Sequence, residues 1–287
     1  MGKKWNLQKT IWLIMIILSL VLVMIPIYVM FKYSISDRTS WITGGKYPVP
    51  WFPFEPTFDM YKYYLSDARF WANAFLSIKV SLLTVVLSML FGAPAAYSLA
   101  RFKFNGKAVL LLLILSIRLI PDISGVIPVA QIFASSFLND LPIELKVAIS
   151  HTILGLPYVI YIAQGVFETI PIDLEEQVFI MGASKFYAFT RVVLPVAVPG
   201  LAAGAIYVFL LSWNEFTFSY FITATSSVDV LPLPVYLKSV FGAFTPNPVS
   251  IATLSLIVSL PVIFFTFAIL HVRYSALHDC RINCWSC

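Results

Sequence analysis

A chain of 287 residues that is 60% hydrophobic and only 11% charged lacks the composition of a soluble globular protein, which carries about a quarter charged residues. Its formal charge of +5 comes from scattered residues, which excludes the concentrated basic face of a nucleic-acid binder. All three cysteines lie in the last eight residues, so no disulfide framework holds the body.

The N-terminal MGKKWNLQKT precedes an uncharged run over 11–31. That run is too long for a signal-peptide core and lacks a small-residue cleavage site, so it reads as a retained membrane span. Gly2 does not make a myristoylation site, because Asn6 stands where Ser or Thr is required. Residues 32–69 hold Trp41, Trp51 and Pro48, Pro50, Pro53 and Pro56. They read as a surface loop with interfacial aromatics, ending in a short amphipathic helix over 61–70. A second span covers 73–100, followed by the basic turn RFKFNGK at 101–107. A third, 108–133, is interrupted by Pro121 and Pro128, and a fourth covers 147–167. A fifth, 192–220, carries Pro195, Pro199, Gly200 and Gly204, and a sixth covers 249–272. The reading is an all-α integral membrane protein of six transmembrane helices. It divides into an N-terminal helix with external loop (1–72), a five-helix core (73–274) and a polar tail (275–287). Counting Lys and Arg on alternate sides gives ten against seven. The ten lie with the termini, which the positive-inside rule places in the cytoplasm.

Between spans four and five lies the one long polar stretch of the second half, PIDLEEQVFIMGASKFYAFTRVVLP at 171–195. Pro171 suits a first helical turn, and Asp173 with Glu176 has capping-box spacing. Leu174, Val178 and Met181 fall on one face, with Glu175 and Glu176 off it. Gly182 is expected to stop this helix and Ser184 to cap a second, which runs back into span five. A short helix–turn–helix between membrane spans makes a cytoplasmic handle that a partner can grip.

Glu176, three residues, Gly182, nine residues, then Val192-Val193-Leu194-Pro195 matches the spacing of the cytoplasmic "EAA" loop, E-A-A-x3-G-x9-I-x-L-P. The chain thereby resembles the permease subunits of ABC importers, with Gln177, Val178 and Val192 replacing the two alanines and the isoleucine. Over about 73–274 it is similar to the MalG-type permeases of carbohydrate importers. AAYSLARFKFNGK (95–107), LIPDISGVIPVAQIF (119–133), IPIDLEEQ (170–177) and SWNEFTFSYFIT (212–223) carry that similarity. The tail departs from it, with SALHDCRINCWSC after Arg273-Tyr274. The resemblance implies a permease that works with a dimer of cytoplasmic ATP-binding subunits, a second and non-identical permease, and an extracytoplasmic solute-binding protein. ATP is then hydrolysed by the partner subunit, and no cofactor sits in this chain. It also implies an ATPase-coupling role for Glu175, Glu176, Gly182, Ala183, Leu194 and Pro195. In that role Glu176 both caps its helix and offers charge to the ATPase.

Other polar residues inside the spans are functional candidates, since intramembrane charge usually faces a cavity or bundle interior. Arg118 and Asp122, at i and i+4 beside Pro121, read as a substrate-path pair or as a structural ion pair at a helix break. Asn214 and Glu215, flanked by Trp213 and Phe216, read as sugar contacts or as helix-terminal polar groups. His151 reads as a hydrogen-bonded packing residue, with no further acid placed to complete a proton relay. Cys280-x3-Cys284-x2-Cys287 with His278 has metal-cluster spacing, but in a permease tail no metal site is expected. No nucleophile elbow, phosphate-cradling glycine loop or H-E-x-x-H is present. The expectation is therefore no catalytic activity in this chain and a plasma-membrane permease for a sugar or oligosaccharide. The alternatives are an ABC permease for a glycerophosphodiester or polyamine, and a stand-alone secondary transporter or channel.

Overall fold

The computed structural model describes residues 7–37, 56–135, 137–226, 228–241 and 247–283. The tryptophans of the 32–69 loop, Lys3, Lys4, Cys284 and Cys287 lie outside the described residues. Among the described residues every regular element is helical. Helices satisfy their backbone groups internally, which an apolar solvent demands. Among the described residues five helices are long and apolar enough to cross a membrane. They are α1 (Leu7–Ser34), α3 (Ala68–Arg101), α6 (Ile143–Thr169), the helical run ending in α9 (Leu194–Asn214), and the first part of α12 (Pro248–Asn283), which follows the short α11 (Leu233–Phe241). α2 (Asp59–Ser66) is a short surface helix, close to the 61–70 expectation but beginning two residues earlier.

The third apolar region is broken. α4 (Lys107–Ser116) ends in a tight turn, Ile117–Leu119, and α5 (Asp122–Ser135) leaves at 89° to it. The cause is Pro121. The residue before a proline is pushed out of the helical region, and Ile120 is extended with ψ 125°. Each arm is about 20 Å long at 1.5 Å per residue, too short to cross a core of about 30 Å alone. Span five also differs from expectation. It ends at Asn214, because Glu215 is extended, and α10 (Thr217–Ala224) starts a new direction where 192–220 was expected to be continuous.

The chain separates into two compact units. The first comprises 1–70 and 237–261. In it Thr253 Oγ1 donates to the Ser34 carbonyl at 3.1 Å, and Tyr61 Oη donates to Ser34 Oγ at 2.9 Å. Met60 and Tyr64, one turn apart on α2, are buried. Along α1 every side chain from 11 to 28 is exposed, as fits a span whose surroundings are hydrocarbon rather than its own chain.

The second unit, 71–236 and 262–287, holds the functional elements. Its core is formed where α3, α6 and α9 meet, through Ala93, Ala96, Leu99, Ile160, Ala163, Phe167, Val193, Ala197 and Leu201. Small residues let these backbones approach closely, the usual basis of helix association in membranes. Two glycines are required by that approach. A Cβ on Gly200 would lie 2.6 Å from Val166 Cγ1, and one on Gly92 would lie 2.6 Å from Val159 Cγ1. Gly200→Val is therefore expected to cost about 1–3 kcal/mol by overpacking, read as a lowered melting temperature of the solubilised protein. Gly165→Ala, where nothing lies within 4 Å of the added carbon, is the control and should melt as the parent does.

Candidate functional site

The handle forms as a helical hairpin, with two changes to the expected details. Its first helix is α7 (Asp173–Ile180), and its N-cap is Ile172, with no side-chain cap. The capping box between Asp173 and Glu176 does not form, and both side chains are exposed. The acidic first turn still suits the positive end of the helix dipole. At the other end, Gly182 N–H donates to the Phe179 carbonyl at 2.9 Å and Ala183 N–H to the Val178 carbonyl at 3.2 Å. This pair of bonds is a Schellman motif, which needs a left-handed residue just past the helix. Gly182 supplies it at φ +84°. Ser184 then caps α8 (Lys185–Ala188), its Oγ accepting from Tyr187 N–H at 3.3 Å. A wide helical turn, Phe189–Val193, carries the chain directly into α9. Pro195 offers no N–H to the carbonyl four residues back, and the ladder widens just before it. Leu194 is half-buried against the α3–α6–α9 core.

The second change concerns which face is buried. Leu174 and Val178 are half-buried as expected, but Met181 is 86% exposed and Glu175 is only 2% exposed. Far from lying off the packed face, Glu175 is its centre. Arg101 Nε donates to Glu175 Oε1 at 2.5 Å, and Tyr97 Oη donates to Oε2 at 2.5 Å. Arg101 Nη2 also donates to the Ile170 carbonyl at 3.0 Å, closing the turn between α6 and α7. The Tyr97 ring packs on Phe167 and Phe189, with centroids 5.7 and 4.6 Å away. Lys185 Nζ stands 5.1 Å from the centre of the Phe102 ring. Both helices of the handle are thus pinned to the end of α3. The opposite side is left bare, with Ile180 and Met181 86% exposed and Phe186 74% exposed.

The polar groups of the spans gather elsewhere. Arg118 and Asp122 face each other across the Pro121 bend, Nη1 donating to Oδ1 at 3.3 Å. Arg118 Nε also donates to Tyr158 Oη at 3.4 Å, and its guanidinium lies 5.6 Å from the centre of that ring. Tyr158 of α6 meets Tyr207 of α9 edge-on, with centroids 5.0 Å apart. Asn214 and Glu215 each tie one polar atom into a local hydrogen bond. Asn214 Nδ2 donates to the Leu210 carbonyl at 2.8 Å, and Glu215 Oε1 accepts from Phe218 N–H at 3.0 Å, at the start of α10. Trp213 is buried and stacks on Phe209, while Phe216 stacks on Tyr220.

The family model described as "Binding-protein-dependent transport system inner membrane component" matches residues 63–275. The chain belongs to that family. It is 31% identical over 258 residues to the trehalose transport system permease protein SugB of Mycobacterium tuberculosis, covering 90% of this chain and 92% of that one. It is 32% identical to the sulfoquinovosyl glycerol transport system permease protein SmoH of Agrobacterium fabrum, over 72% of both chains. It is 28% identical to the diacetylchitobiose uptake system permease protein DasC of Streptomyces coelicolor, over 76% of this chain and 77% of that one. Among solved structures, a chain of a bacterial ABC transporter involved in the import of the acidic polysaccharide alginate shares its fold. The TM-score is 0.71 at 21% identity, over 94% of this chain and 99% of the other.

For a member of this family, the residues that sequence reasoning passed over are Tyr97, Arg101 and Tyr158. Tyr97 and Arg101 stand inside the family-like block at 95–107, where the basic turn was read only as an orientation signal. His151 is buried among hydroxyls as expected of a packing residue. Nδ1 is hydrogen-bonded to Ser212 Oγ at 2.8 Å and Nε2 to Ser219 Oγ at 3.1 Å, which staples α9 to α10 across the break at Glu215. Removing one partner of a buried ion pair costs about 3–5 kcal/mol. Arg101→Ala is thus expected to lower the melting temperature sharply, whereas Glu176→Gln, on the exposed side, should stay within about 0.5 kcal/mol of the parent.

Proposed function

We propose that this chain is one permease subunit of an ATP-driven importer that passes a sugar or oligosaccharide from an external binding protein across the plasma membrane. The sugar reading is supported by the relatives, whose names specify trehalose and diacetylchitobiose transport. The termini lie in the cytoplasm, the bent α4–α5 pair counts as one crossing, and six spans result. The partners are a dimer of cytoplasmic ATP-binding subunits, a second and non-identical permease, and the extracytoplasmic binding protein. The ATPase partner hydrolyses ATP, and this chain holds no cofactor and no catalytic group. Residues 73–274 form the permease core.

The observation that carries this reading is the pinned handle. Its exposed tip, Ile180 and Met181, seats in the ATPase, and the charge of Glu176 meets the partner beside it. When the ATPase pair closes on ATP, the handle is displaced as a rigid body, because α7 is clamped at Glu175 and joined to α8 through the closed turn at Gly182. Gly182 sets the hairpin angle, and Ala183, Leu194 and Pro195 join the hairpin to α9. Glu175 passes the displacement through Arg101 and Tyr97 into α3, and the α3–α6–α9 core then rotates as a block. The substrate path is lined by Arg118 and Asp122, with Asn214 and Glu215 toward its far end.

A glycerophosphodiester or polyamine permease would share the handle and differ only along the path. A secondary transporter or channel would have no use for an exposed apolar tip pinned to a buried charge. The test is reconstitution with the ATPase, partner permease and binding protein. Met181→Asp together with Ile180→Asp, both fully accessible, should reduce binding-protein-stimulated ATP hydrolysis by about tenfold or more, a loss of about 1.4 kcal/mol of contact. Undiminished stimulation in the double variant would remove the coupling role.

A further inference from the structure

The Arg118 cluster differs in kind from the Glu175 clamp. The clamp is sealed, with side chains 11% and 3% exposed, whereas Arg118 and Asp122 keep 22% and 39% of theirs open. Tyr207 beside them is 40% exposed. These groups also share a depth. Lys107 and Glu168 are ion-paired at 3.0 Å, so the start of α4 and the end of α6 lie on the handle side. At 1.5 Å per residue, Arg118 stands about 17 Å in from Lys107, Tyr158 about 15 Å in from Glu168, and Tyr207 about 20 Å in from Leu194. All three therefore lie near the middle of a hydrocarbon core of about 30 Å. Exposed charge at that depth faces a water-filled path or the neighbouring permease rather than lipid tails.

The chemistry of that opening is specific. Two tyrosine rings set edge-to-face offer an apolar surface of the kind that covers the C–H face of a pyranose. Arg118 supplies N–H donors and Asp122 acceptors, the groups that sugar hydroxyls pair with. The charge is already balanced. Asp122 neutralises Arg118, its Oδ1 3.3 Å from Nη1. No cation of the cluster is left over to hold a carboxylate or sulfonate.

Resting on the permease reading above, we infer that Tyr158 and Tyr207, with Arg118 and Asp122, form a mid-membrane subsite for an uncharged sugar and exclude acidic ones. The site belongs to α4–α5, α6 and α9 and moves with the block that the handle drives. Its selectivity acts after the binding protein has delivered its cargo.

The experiment is equilibrium binding to the assembled importer, permeases and ATPases together, with the binding protein left out. The probes are radiolabelled trehalose, diacetylchitobiose and maltotriose, and the acidic disaccharide dimannuronate. At least one uncharged probe should bind saturably and dimannuronate should not. Tyr207→Leu should weaken the uncharged probe about tenfold, while Tyr161→Leu, exposed elsewhere on α6, should not. Asp122→Asn, which leaves Arg118 uncompensated, should admit dimannuronate, a gain that misfolding cannot mimic. The inference is overturned if dimannuronate binds the parent as well as the uncharged probes do, if no uncharged probe binds, or if Tyr207→Leu changes nothing. Binding-protein-stimulated ATP hydrolysis by the same preparation separates the two claims. Its presence with no sugar selectivity sinks the subsite alone, and its absence in the parent sinks the permease reading.

Discussion

A carboxylate buried to 2% exposure between membrane helices is costly unless its lone pairs are occupied and its charge is met. Glu175 meets that requirement with one guanidinium and one phenol, both from the last turns of α3. The constraint runs outward from there. Arg101 can hold the carboxylate only if Ile170 presents its carbonyl to the same guanidinium, which sets the turn out of α6. Tyr97 can reach it only if its ring is packed between Phe167 and Phe189, which sets the angle at which the chain returns to α9. One ionised group thus fixes the position of the handle relative to three spans.

Rigidity at this point is what makes the remaining features useful. The Schellman turn at Gly182 and the Ser184 cap hold the hairpin as a solid piece with a bare Ile180–Met181 tip, the part that the proposed reading assigns to the ATPase. The close approaches at Gly92 and Gly200 make the spans below it a single block. Against that stiffness, the break at Pro121 turns an apolar helix through 89°. The half-open Arg118–Asp122 pair sits on that corner. On the proposed reading, the sealed ion pair at the handle serves force and the open one at the corner serves recognition.

Much of this was legible from the residues. The apolar windows marked five helices long enough to cross a membrane, and Gly182 and Ser184 marked the hairpin through local turn chemistry. Pro121 announced its break because the restriction on the preceding residue is local too. What periodicity could not reveal was the burial of Glu175. A helical wheel sorts residues by hydrophobicity, and a carboxylate whose partners stand 74 and 78 residues away in sequence looks like a solvated one. The capping box failed for the same reason. Asp173 and Glu176 have the spacing, but the clamp on Glu175 fixes the start of α7 with Ile172 at the cap. Tyr158 and Tyr207 were equally hidden, since a tyrosine in an aromatic-rich membrane chain carries no local mark of its neighbour.

The central claim is that force passes from handle to spans through the Glu175–Arg101 contact, and a double-mutant cycle on the reconstituted importer tests it most directly. Sugar taken up per ATP hydrolysed is measured for Glu175→Gln, Arg101→Gln and the pair. If the contact is the link, each single change lowers the ratio and the double change lowers it no further than the worse single. Independent, additive losses, or an unchanged ratio in either single variant, would contradict it.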